Sequence, residues 1–90
     1  MLVLTRRKGQ SVLVGNTRIT LNKIEWNRVR LCVNGSEIII RNQKLAVIKG
    51  GIRIKLCMIN KSEVRLGIHA PESMHIDREE AVGKENENVL

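Results

Sequence analysis

Three arginines carry most of the chemistry that this sequence could do. Arg6 and Arg7 are adjacent near the start of the chain, and Arg78 lies near its other end. A guanidinium is always charged and presents a planar fork of donors, which suits phosphates and carboxylates. Arg78 follows Met74-His75-Ile76-Asp77, where apolar and polar residues alternate as in a strand with one buried face. Asp77 and Glu80 have the spacing of a capping box, so the strand is predicted to give way to a helix there, with Arg78 at the junction. Pro71 fixes φ and has no N–H, which puts a turn at Ala70-Pro71-Glu72 ahead of that strand.

Other chemistry has little support. The sequence holds no nucleophile–base pair, no phosphate-cradling glycine loop and no paired carboxylates within strands, so no enzymatic activity is expected. Glu79 and Glu80 suit the N-terminal end of a helix dipole. Cys57, His69 and His75 lack the spacing of a metal site, and Cys32 and Cys57 sit in apolar runs where cysteine acts as a small hydrophobe. Neither a metal nor a cofactor is expected.

The net charge is +7, and its distribution is lopsided. Residues 1–65 carry fourteen Lys/Arg against three acids, whereas residues 66–90 carry two against six. A basic body with an acidic tail suits either a polyanionic partner, most simply nucleic acid, or a merely solvated surface. The apolar run at residues 1–4 precedes its charges, the reverse of a signal peptide, and no segment approaches the ~20 apolar residues of a membrane span. A cytoplasmic protein with no membrane partner and no small-molecule substrate is expected.

The elements that must position the arginines are strands. The apolar residues are mainly Ile, Val and Leu, with no Phe or Tyr and a single aromatic, Trp26. Strands are predicted at residues 2–7, 11–14, 17–24 (with a slip near Lys23), 28–33 and 37–41. Turns separate them at Lys8-Gly9-Gln10, Gly15-Asn16, Glu25-Trp26-Asn27 and Asn34-Gly35, the last a type I′ hairpin signal. The run Ile38-Ile39-Ile40 suggests burial on both faces. The pattern then restarts. With a shift of 35 residues, Val12, Gly15, Arg18, Ile19, Leu21, Ile24, Val29, Arg30 and Leu31 fall on identical residues, nine of twenty aligned positions without a gap. A β-meander used twice is predicted, with residues 2–7 preceding only the first copy and the Pro71 turn following only the second. Ninety residues suit one small domain or one protomer of an oligomer, and dimerisation would enlarge so small a core.

Two end motifs resemble one family. Met1-Leu2-Val3-Leu4-Thr5-Arg6-Arg7-Lys8-Gly9 with Val12 to Gly15 is similar to the start of the carbon storage regulators, the CsrA/RsmA family of bacterial RNA-binding translational regulators. Val64-Arg65-Leu66-Gly67-Ile68-His69-Ala70-Pro71 and Arg78-Glu79-Glu80 look like the rest of that protomer. By this resemblance a single domain spans residues 1–90. Residues 1–15 plus 51–80 make one family protomer, 16–50 an inserted duplicate copy and 81–90 a polar tail. The implied fold is all-β with a short C-terminal helix, in interlocked antiparallel sheets or a barrel whose strands cross between protomers. The implied activity is post-transcriptional: binding GGA-containing hairpin loops in mRNA leaders, repressing translation or altering mRNA stability, with small regulatory RNAs as competing ligands. Leu4, Thr5, Arg6 and Arg7 would then act from the first strand, and Ile76 and Arg78 from the last. A homodimer is implied, or a single-chain pseudo-dimer lacking one first strand.

The physics agrees with those roles. Unpaired loop bases expose edges that the backbone groups of a strand can read. Arginines neutralise phosphates and make bidentate bonds to guanine, while Leu4 and Ile76 offer apolar support. Asp77 places an anion beside the same path. Trp26, in a basic turn, could stack on a base or cap a small core. Arg18/Arg53 and Arg30/Arg65 recur in both copies and suit non-specific attraction, and Arg41 aligns loosely with Arg78. The alternative is a β-rich interaction module that pairs with or antagonises a family member without specific RNA binding.

Overall fold

The computed structural model describes residues 1–78 and, for Arg78, the backbone alone. Those residues form nine strands and no helix: β1 (Leu2–Arg6), β2 (Ser11–Val14), β3 (Thr17–Glu25), β4 (Arg28–Val33), β5 (Ser36–Arg41), β6 (Leu45–Ile48), β7 (Ile52–Ile59), β8 (Val64–His69) and β9 (Ile76–Arg78). Apolar residues recur at every second position, so each strand has one face to bury, and two sheets pack on each other. One has the order β1-β8-β7-β6 and the other β5-β4-β3-β2-β9, with antiparallel pairing throughout. Their inner faces share one core, in which Leu4, Ile54, Leu56 and Leu66 meet Val12, Ile19, Leu31 and Ile40. Each fully buried aliphatic side chain stabilises the fold by about 1.5–3 kcal/mol, against the entropy of ordering the chain.

Turn chemistry sets the registers. Asn34 (φ 47°) and Gly35 (φ 89°) both take the left-handed conformation that a type I′ turn requires, and they start the β4–β5 pairing at Val33↔Ser36. The slip predicted near Lys23 is a bulge, with the β3–β4 register shifting between Leu21 and Lys23. β7 carries the matching shift between Leu56 and Met58, as a duplicated meander should.

The repeat reaches further upstream than the residue identities do. Ile38, Ile39 and Ile40 lie opposite Leu31, Arg30 and Val29, just as Leu4, Thr5 and Arg6 lie opposite Leu66, Arg65 and Val64. The same turn follows both strands: Gln10 N–H donates to Arg7 O at 2.9 Å, and Lys44 N–H to Arg41 O at 3.0 Å. Arg41 is therefore the counterpart of Arg7, not of Arg78. The offset is 34 residues up to the β6–β7 turn and 35 beyond it, because Lys49-Gly50-Gly51 stands where the first copy has the shorter Gly15-Asn16. In space Val12 corresponds to Ala46, so the Val12/Val47 identity does not superpose. Burial of Ile38-Ile39-Ile40 on both faces is also corrected. β5 lies at a sheet edge with one face to the core, so Ile40 is buried while Ile39 is 45% exposed.

Three strands cross between the copies, among them β5, which leads into the second meander but pairs with β4 of the first. β1 leads into the first meander but pairs with β8 of the second, and β9 follows the second but pairs with β2 of the first. The described residues thus fill two first-strand positions, β1 and β5, and one last-strand position, β9; the sequence suggested that a first strand would be lacking. The strand expected ahead of the helix runs through Arg78. Asp77 and Arg78 lie opposite Leu13 and Val12, because the edge of β2 offers a ladder to the backbone there. The rest of the expected helix, from Glu79, and the tail at 81–90 lie outside the described residues.

Candidate nucleic-acid interface

β1 alternates strictly. Val3, Thr5 and, beyond the strand end, Arg7 are exposed, whereas Leu4 and Arg6 point into the sandwich, 4% and 1% exposed. The Arg6 stem occupies the core position that Ile40 fills in the other sheet. Its Nε donates to Thr5 O at 2.7 Å and its Nη1 to Ser11 O at 2.9 Å. The adjacent pair therefore splits: Arg6 ties the end of β1 to the start of β2, and Arg7 reaches solvent. Arg7 Nε lies 3.6 Å from Glu63 Oε2, and its N–H donates to Gln10 Oε1 at 2.7 Å, which fixes the turn.

The last strand comes to the same corner from the other sheet. Arg78 lies opposite Val12, one residue from the Ser11 carbonyl that Arg6 grips. Gly15 N–H donates to His75 O at 2.8 Å and extends the pairing, while Met74 packs over Gly15. Met74 N–H in turn donates to Pro71 O at 2.9 Å, closing the predicted proline turn. Ile76 is half-buried against the core, and exposed Asp77 holds His75 Nε2 at 3.0 Å. β1 and β9 are edge strands of opposite sheets, so among the described residues each keeps one ladder edge unpaired. Leu4, Thr5, Arg6, Arg7, Ile76 and Arg78 are thus gathered along two edges joined through Ser11 and Val12. Outward presentation extends to Thr5 and Arg7 but not to Leu4 or Arg6.

The sequence matches the CsrA global regulator protein family twice, over residues 1–40 and 35–87. The chain belongs to that family. The two matches together span most of the chain, and they overlap over residues 35–40, Gly35 and most of β5. Neither the curated proteins nor the solved structures gave a match. CsrA-family membership makes the chain an RNA-binding post-transcriptional regulator and not an enzyme.

The two CsrA-like halves differ in electrostatics. On the outer face of the β5 sheet, Glu25 Oε1 accepts from Arg28 Nε and Arg30 Nε, both at 2.9 Å, and Arg30 Nη1 reaches Glu37 Oε2 at 3.3 Å. Its counterpart Arg65 is exposed and makes no ion pair among the described residues. Partial burial works to raise the Glu25 carboxyl, but the hydrogen bonds and charges of Arg28 and Arg30 outweigh it and hold the group below its ordinary value. The stability Glu25 contributes is therefore complete above the unfolded glutamate pKa and is lost as pH falls through the lower folded value. Glu25→Gln is expected to flatten the fall in urea midpoint on the acid side of pH 5 or so, and an unchanged acid profile would count against the network. Among the described residues no cluster of His, Cys, Asp and Glu could hold a metal, and no helix is long and apolar enough to cross a membrane.

Proposed function

We propose that this chain is a cytoplasmic translational regulator that binds GGA-containing hairpin loops in mRNA leaders, at the corner where β1 and β9 meet. The observation that carries this reading is the strand crossover. It places Arg78 one residue along β2 from the carbonyl held by Arg6, with Thr5 and Arg7 exposed beside it. In this reading the unpaired ladder edges of β1 and β9 read base edges through backbone N–H and C=O groups. Arg78 and Arg7 supply charge and bidentate bonds. Leu4 and Arg6 act from within, by holding the edge of β1 in place, and Ile76 does the same for β9. With two first-strand positions and one last-strand position among the described residues, a single chain offers one such corner and works as a pseudo-dimer with one RNA bound.

Changing the loop from GGA to CCA is expected to remove most of the affinity in a gel-shift titration, because each mismatched guanine contact costs about 1–3 kcal/mol. Equal binding of both loops would reduce the interaction to non-specific attraction. A second reading, strand addition by another family member, draws on the outer edge of β6, which has no neighbour among the described residues and exposes Leu45 and Val47. Co-purification of such a protein with unchanged RNA binding would favour it.

A further inference from the structure

We infer that the tip of the β3–β4 hairpin, around Trp26 and Arg41, is a second contact for unpaired nucleotides, in which a base stacks on the indole. This rests on the RNA-binding reading and adds a subsite away from the β1/β9 corner. Trp26 is the chain's only aromatic residue and is 90% exposed, so it caps no core. Clefts of about 490 and 370 Å³ flank it. The first is shared with Lys61 and Asn60, the second with Arg28 and Arg41.

Comparison of the two copies shows what changed at this corner. At the end of β1, Arg7 Nε faces Glu63 Oε2 at 3.6 Å. At the end of β5 its counterpart is Arg41, and the counterpart of Glu63 is Arg28, which lies directly opposite Arg41 in the ladder. A cation thus replaces the acid. In the same comparison Trp26 stands where the second copy has Lys61. Arg41 makes no ion pair among the described residues, and Glu25, which engages Arg28 Nε, is the one carboxylate lining the clefts. An exposed indole beside two guanidiniums and a lysine, with one acid, suits a base on the ring face and phosphates on Arg41 and Lys61. An acidic peptide would use the cations and leave the indole without a planar partner.

The test uses the full chain, with Trp26 emission as the reporter of contact in the wild type and the anisotropy of dye-labelled RNA as the reporter of affinity for wild type and variants alike. The probes are an unstructured oligoadenylate lacking GGA and a GGA hairpin with no single-stranded flank. Oligoadenylate is expected to quench the emission. Trp26→Leu is expected to weaken its binding about 5- to 150-fold, with Trp26→Phe retaining most of it, because stacking needs a ring and not merely an apolar side chain. The flankless hairpin should bind Trp26→Leu as it binds the wild type. Unchanged emission at saturating oligoadenylate, or equal affinity of Trp26→Leu and wild type for it, overturns the inference and leaves the GGA corner standing. Quenching by oligoadenylate without preference for GGA over CCA loops upholds the stacking contact and removes the specific site. Failure of both RNAs to bind removes both.

Discussion

Arg6→Ala is expected to destabilise the fold by about 2–4 kcal/mol, which makes a residue that resembles a ligand contact primarily a structural one. The side chain is 1% exposed and occupies a core position, so truncation leaves a cavity. It also strands the Ser11 carbonyl, which accepts the Nη1–H at 2.9 Å. Arg6→Ile is expected to lose much less, since Ile40 fills the equivalent position of the other sheet without a guanidinium. Urea unfolding of the two variants measures the difference. RNA affinity is then compared at a temperature where both remain folded. A fully stable Arg6→Ala with abolished RNA binding would return Arg6 to direct contact.

Arg6 also shows what a sequence can and cannot make legible. The inward phase of β1 was present in Leu2, Leu4 and Arg6, which fall on one face of a period-two strand. The adjacency of two arginines suggested a shared surface, yet neighbours on a strand face opposite ways. Strand positions elsewhere followed from period and turn chemistry, because Asn34-Gly35 and Pro71 leave the backbone few options. The duplication was legible where both copies keep Arg18/Arg53, Leu21/Leu56 and Val29-Arg30-Leu31/Val64-Arg65-Leu66.

Long-range placement was harder to read. β5 stands in for a first strand, but Ser36-Glu37-Ile38-Ile39-Ile40 shares no residue with its spatial counterpart Leu2-Val3-Leu4-Thr5-Arg6. Pairing asks only for an inward apolar face, so composition drifted while the ladder persisted. The one-residue change of offset was masked because Gly50 aligns with Gly15 by identity, although the two turns differ in length. At Asp77 the strand expected from Met74 onward runs on through Arg78 along the edge of β2.

Arg78→Ala is expected to weaken binding of a GGA hairpin by roughly 1–3 kcal/mol, about 5- to 150-fold, while leaving the unfolding midpoint close to wild type. The stability half follows from the ladder: β9 joins β2 through backbone groups, which the substitution keeps. The affinity half follows from the chemistry of the fork. Arg78→Lys keeps the charge but loses bidentate geometry, so it should restore salt-dependent attraction without restoring preference for GGA over CCA. Arg65→Ala provides the contrast. Arg65 is exposed on the outer face, opposite Thr5 in the ladder, where attraction to phosphate carries no sequence information. Its loss should weaken all RNAs alike and reduce the log–log salt slope by about 0.7. If Arg78→Ala behaves in that same uniform way, the guanine-reading role passes to the backbone edges of β1 and β9; if affinity does not change at all, Arg78 lies outside the site.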